Sequence, residues 1–93
     1  MNTKKIKLIR NKIDKLDQKL LNLIKKRTIL VNKVIKVKKF KKQIVDKKRI
    51  STVLSKIKKF SLLKKIDPQI TSAIWSTMIR SYIKYEKKNF KKK

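Results

Sequence analysis

The stretch IRNKIDKLDQKLLNLIKKR, residues 9–27, decides the fold. Its apolar residues Ile9, Ile13, Leu16, Leu20 and Leu23 are spaced alternately by four and by three, which is the heptad pattern of a helix that packs along another helix. Read outward, the same spacing takes in Ile6 on one side and Leu30, Val34 and Val37 on the other, with Arg27 in register between them. The pattern predicts one helix over roughly residues 4 to 40. At 1.5 Å per residue such a helix is about 55 Å long, whereas a compact globule of this size has a radius of gyration of only about 12 Å. The helix outruns any core its own chain can build, so a second subunit is expected to cover it.

Downstream, a polar break falls at residues 41–43. Asp46 is placed to cap a second helix with Ile50, Val53, Leu54 and Ile57 on its apolar face, ending near residues 61–65. Asp67-Pro68 then opens a third helix, the aspartate as N-cap and the proline as first helical residue. Its apolar face runs Ile70, Ile74, Met78 and Tyr82, widened by Trp75, Ile79 and Ile83. Trp75 is expected in the core and Arg80 on the outer surface. Residues beyond Phe90 form a lysine tail expected to fray. There is no strand pattern, internal repeat or separate linker, so residues 1–93 are expected to form one all-α domain of three helices with a very long first helix.

Composition narrows the function classes. The chain has 93 residues and a formal net charge of +26, with no histidine and no cysteine. A chain this short buries little apolar surface alone, which again points to an oligomer. Without cysteine there is no disulfide framework, and without cysteine or histidine the common zinc sites are excluded; no cofactor is expected. No apolar run approaches a membrane span, and Asp14 and Asp17 interrupt any secretory signal at the basic N-terminus, so the cytoplasm is the expected location. The positive charge attracts polyanions in general. A lysine-rich helical protein that binds nucleic acid is therefore the alternative from a different class. Lysine occupies every solvent-facing position instead of one stripe, however, and no aromatic ladder, glycine loop or zinc motif accompanies it, so no specific nucleic acid partner is expected. A membrane-surface helix fits less well, because the stripe of the first helix is too narrow.

Twenty-seven lysines stand beside only four arginines, Arg10, Arg27, Arg49 and Arg80. Where a bare charge suffices this chain uses lysine, so the remaining arginines are the residues to ask about, and three of the four sit where a small dicarboxylate could use the planar fork with which guanidinium grips a carboxylate. Arg27 is the sharpest of these because it takes a seam position otherwise held by Ile, Leu and Val. A buried charge there needs an anion; the plain alternative is a side chain that snorkels to the surface or pairs with one of the few acids. Lys38 lies eleven residues on, about three turns, and so falls on nearly the same face some 16 Å along the axis. Arg10 is about 25 Å from Arg27 on one helix. An antiparallel copy of that helix would bring Arg10 of one subunit beside Arg27 and Lys38 of the other, giving two equivalent sites in a twofold dimer.

The run at residues 9–27 resembles the opening of the all-helical chorismate mutases, whose pattern is LRxxIDxLDxxLLxLLxxR. The likeness continues through Val34 and Lys38, through Asp46-Lys47-Lys48-Arg49, and through Ile66-Asp67-Pro68 before a third helix carrying Trp75, Ile79 and Ile83, covering roughly residues 6–86. This resemblance implies an intertwined homodimer of three-helix subunits that rearranges chorismate to prephenate, in the shikimate pathway to phenylalanine and tyrosine, with no cofactor. It implies that Arg27 and the partner chain's Arg10 bind the two substrate carboxylates and that Lys38 hydrogen-bonds the ether oxygen of the breaking bond. It also puts Arg49 in the pocket, Asp46 near the ring hydroxyl, and Val34, Ile79 and Ile83 against the ring. Asp14 and Asp17 match family positions too, but are expected to support the first helix through neighbouring lysines.

Three residues depart from the family pattern. Ile50 stands where many mutases carry a glutamate that meets the ring hydroxyl, and Tyr82 where several carry serine. Glu86, the only glutamate in the chain, matches a position that is often glutamine and donates to the ether oxygen. An ionised glutamate cannot donate, so Glu86 is either protonated or serves to orient Lys38. Isochorismate pyruvate lyases, which share this fold and form salicylate and pyruvate, also tend to have an apolar residue after the matching arginine and a tyrosine on the third helix. Ile50 and Tyr82 fit that branch, which makes the lyase the alternative within the family.

Overall fold

The computed structural model of the protein describes residues 2–90. Three helices follow in order, α1 (Thr3–Val37), α2 (Lys47–Leu63) and α3 (Pro68–Asn89), with a 3-10 turn at Lys41–Ile44 between the first two. Among the described residues there is no strand, and no helix is long and apolar enough to cross a membrane. The all-α reading with a very long first helix therefore holds; the tail at residues 91–93 lies outside the described residues.

α1 begins at Asn2, whose side-chain oxygen accepts the Lys5 N–H at 3.0 Å while its carbonyl accepts the Ile6 N–H at 3.2 Å. This cap works against its neighbours, because the first turn holds lysines and no acid, the unfavourable sign for a helix N-terminus. The helix ends at Val37, short of residue 40. No proline or glycine stops it. Instead, the Lys38 N–H closes a tight turn onto the Ile35 carbonyl at 3.1 Å, and the Lys39 and Phe40 N–H groups turn to the Gln43 side chain. Lys38 consequently sits one residue past the end of α1. Asp14 and Asp17 make no ion pair among the described residues; both are exposed, where water competes well for lysine.

Contacts within the chain fall into two units, one ending at Val34 and one beginning at Ile35. The first is a single helix, and a single helix has no second layer to bury its seam. Ile9, Ile13, Leu16, Leu20, Leu23 and Leu30 are all between 49% and 60% exposed.

The second unit has a small packed core. α2 and α3 pack together, and the 3-10 turn packs on α3. Asp46 caps α2 by accepting the Arg49 N–H at 2.9 Å, and Asp67 caps α3 by accepting the Gln69 N–H at 2.9 Å, with Pro68 as the first helical residue. Between these helices the buried Ser61 hydroxyl donates to the Ile57 carbonyl at 2.6 Å and lies 2.7 Å from the Thr71 hydroxyl. The bond between the two hydroxyls ties α3 to α2.

The α2–α3 corner shows how a chain without glycine turns. The Ile66 N–H reaches the Ser61 carbonyl at 2.8 Å and the Lys65 N–H reaches the Leu62 carbonyl at 3.2 Å, the paired bonds of a Schellman ending. This geometry puts Lys65 at φ 58°, a left-handed position that glycine usually takes. A side chain there costs roughly 1 kcal/mol.

Burial stays modest. Among the described residues only Ile35, Ile44, Ser61 and Glu86 are buried, and no large side chain is fully enclosed. On α3 the expected face is covered only in its later part: Ile70 and Ile74 are 56% and 49% exposed, while Met78 and Tyr82, with Trp75, Ile79 and Ile83 beside them, are half-buried. Trp75, expected in the core, thus keeps part of its surface free.

Candidate active site

The chemistry of the second unit centres on one pair. Lys38 Nζ lies 3.8 Å from Glu86 Oε2, and the Glu86 residue is only 8% exposed. A carboxylate is seldom taken out of water without a cation or donors beside it, so this burial marks a constructed position. Lys38 reaches it from the segment that follows α1, and Glu86 projects from α3. At α-helical spacing, Ile79, Tyr82, Ile83 and Glu86 fall on one side of α3, and the three residues besides Glu86 are half-buried. Tyr82 is further fixed by Tyr85, whose ring meets it edge-on at 6.4 Å between centroids. An ammonium, a carboxyl and an apolar wall are therefore gathered within one unit.

The entrance to α2 supplies the next two expected residues. Asp46 is committed to the Arg49 backbone through Oδ1, which leaves its second carboxylate oxygen for other contacts. The Arg49 side chain is exposed, and Ile50 beside it is half-buried. Arg80, taken from the sequence as a surface residue, is exposed and donates to the Thr77 hydroxyl at 3.4 Å.

The remaining expected site residues belong to the first unit. Arg10 is exposed, Arg27 half-buried and Val34 48% exposed. Both arginines lie within α1, and seventeen helical residues hold them about 25 Å apart. No single small dicarboxylate can touch both from one chain. The structure thus joins Lys38 to Glu86, groups Ile79, Tyr82 and Ile83 with Glu86, and leaves Arg10 apart from Arg27.

Sequence reasoning missed Gln43, which takes the N–H groups of both residues after Lys38. A partial signal was present. Glutamine three residues into a turn is half of a capping box, but its usual partner, serine or threonine at the cap, is Phe40 here.

The all-helical fold with its long first helix is consistent with the comparison to known proteins. The chorismate mutase type II family model matches residues 9–87. No curated protein and no solved structure matches the chain. The family match reaches into all three helices, from one residue before the first arginine to one residue beyond the buried glutamate, and on that evidence the chain belongs to the chorismate mutase type II family.

Proposed function

We propose that this protein is a chorismate mutase that converts chorismate to prephenate as an intertwined homodimer. Membership of the family makes it an enzyme of the chorismate mutase kind with chorismate as the implied substrate. The observation that carries the finer reading is the Lys38–Glu86 pair, an ammonium 3.8 Å from a buried carboxylate at the two positions the resemblance assigns to the ether oxygen. The reaction itself needs little else. In one concerted step the ether C–O bond breaks as a new C–C bond forms, and no proton is gained or lost. The protein's part is to hold the substrate folded and to put positive charge where the ether oxygen becomes negative.

In this reading Arg27 and Arg10 of the partner subunit grip the two carboxylates, and Lys38 donates to the ether oxygen. Arg49 adds charge at the entrance, Asp46 meets the ring hydroxyl through its second oxygen, and Val34, Ile79 and Ile83 wall the ring. The partner copy of α1 covers the seam that one helix alone leaves exposed, so that residues 1–93 complete one domain only as a dimer. The product would enter phenylalanine and tyrosine synthesis in the cytoplasm.

The second reading, isochorismate pyruvate lyase, is favoured by half-buried Ile50 and by Tyr82 on the Glu86 side of α3. Supplying chorismate and isochorismate separately distinguishes the two. The mutase reading expects prephenate from chorismate at a kcat/KM at least about 100-fold above any salicylate formation from isochorismate, the margin one well-placed donor can create. Faster salicylate formation would make the lyase the correct assignment.

A further inference from the structure

We propose that Gln43 is a positioning residue for Lys38, acting through the backbone and never touching substrate. The role of Lys38 at the ether oxygen rests on the mutase reading; the tether itself is independent of it. Lys38 leaves α1 on a tight turn closed by its N–H on the Ile35 carbonyl at 3.1 Å. The next two N–H groups, those of Lys39 and Phe40, have no helical carbonyl to take. Both donate to one atom, Gln43 Oε1, at 2.8 and 2.9 Å, and the Gln43 N–H returns to the Phe40 carbonyl at 3.0 Å. These three bonds close the loop over residues 39–43.

The loop is then anchored where it matters. Ile44, the next residue, is only 4% exposed and belongs to the turn that packs on α3, the helix that carries Glu86. Apolar burial cannot replace the tether, because Phe40 is 56% exposed. Lys38 is thus held from the front by the last turn of α1 and from behind by Gln43 and Ile44, with its ammonium 3.8 Å from Glu86 Oε2. A lysine side chain has four rotatable bonds, so where its ammonium sits depends on how firmly its Cα is held. Gln43 spends its side-chain oxygen on the two backbone N–H groups of Lys39 and Phe40, so it acts on Lys38 through the main chain.

The substitution Gln43→Leu keeps the side chain's bulk and removes the acceptor that both N–H groups share, whereas Gln43→Glu keeps an oxygen in the same place. The first should lower kcat by about 10- to 100-fold with KM changed less than about 2-fold, because the misplaced ammonium is needed chiefly in the transition state. Gln43→Glu should stay within about 3-fold of the native kcat, since its carboxylate accepts both N–H groups. In a Lys38→Ala background, Gln43→Leu should cost less than about 2-fold, because two residues acting as a unit are not additive. Equal losses in both backgrounds, or a Gln43→Glu variant as poor as Gln43→Leu, would overturn the proposal.

A readout without turnover separates this proposal from the mutase reading. Acylation of the Lys38 amine by an amine-reactive ester, followed by peptide mass spectrometry of the full chain, should quicken by about 3-fold or more in Gln43→Leu as the Glu86 pairing loosens, with Lys84 unchanged. Unchanged Lys38 reactivity overturns the positioning role, whatever substrate the enzyme turns over. Quickened reactivity in a protein that converts neither chorismate nor isochorismate would support the tether and sink the mutase reading alone.

Discussion

The part of α1 up to Val34 and the unit from Ile35 onward solve the same problem, a small apolar surface, in opposite ways. The first has a long regular seam with its leucines and isoleucines about half exposed, and it is held by helical hydrogen bonds, a capping asparagine and local bonds such as that from the Thr28 hydroxyl to the Ile24 carbonyl at 2.8 Å. The second is short of apolar burial too, but it is closed by directional contacts: two aspartate caps, the Ser61–Thr71 hydroxyl bond, a Schellman turn and the Lys38–Glu86 pair. Isolated seams of this kind derive their stability from packing against another helix, so the first unit should depend on protein concentration and the second on its own sequence.

The largest expected effect breaks the first region while leaving the second intact. Arg10→Ala and Arg27→Ala should each lower kcat/KM by at least about 100-fold. Refolding the two variants together should restore activity, because random pairing rebuilds an unmutated site in half of the dimers, about a quarter of all sites. A mixture as inactive as its parents would show that each site is built from one chain and that α1 plays no shared role.

Arg27→Lys tests whether the seam arginine acts as a fork or as a charge. A loss on the order of 100-fold is expected, because lysine cannot replace two parallel hydrogen bonds to a carboxylate. The matched change Arg80→Lys, on the exposed side of α3, should alter kcat/KM by less than about 2-fold, since surface contacts of this kind contribute little. Equal tolerance at both positions would reduce Arg27 to a side chain that snorkels.

Glu86 sharpens the other half of the comparison. If its carboxyl donates to the ether oxygen it must carry a proton there, so kcat/KM should fall as pH rises through the Glu86 pKa, by about 10-fold per pH unit beyond it. Glu86→Gln supplies a permanent donor, and its profile should lose that decline while remaining active. A flat native profile paired with an inactive variant would instead identify ionised Glu86 as the anchor of Lys38.

The smallest effect concerns the turn between α2 and α3. Lys65→Gly relieves the left-handed backbone at φ 58° and should raise stability by about 0.5–1 kcal/mol in a denaturant titration, the gain being reduced by the looser unfolded chain. Unchanged or lowered stability would mean that the lysine side chain gains enough elsewhere to offset the strain.

What could be read in advance follows from the range of the interactions. Asp46 and Asp67-Pro68 cap their helices as their local chemistry requires, since a carboxylate two or three residues before a free N–H needs no distant partner. The end of α1 was not readable in the same way. Nothing in residues 37–40 breaks a helix, and the chain leaves it through the turn of Lys38 onto the Ile35 carbonyl and the Gln43 oxygen that takes the next two N–H groups. On α3 the expected face is covered at Met78 and Tyr82 and on its widened side at Trp75, Ile79 and Ile83, but not at Ile70 and Ile74, because a helix apolar on more than one side does not declare which part its neighbours cover.

The amino-acid sequence by itself determined the three helices, the heptad seam, the rarity of arginine and the family pattern, because spacing and side-chain chemistry are local properties that survive in any environment. Tertiary structure decided that Lys38 lies beyond α1, that its ammonium meets a buried Glu86 on α3, and that Gln43 holds the loop between them. Those outcomes depend on a few side-chain atoms meeting at 2.8 to 3.8 Å from separate segments, and contacts of that range exist only once the backbone has brought the segments together.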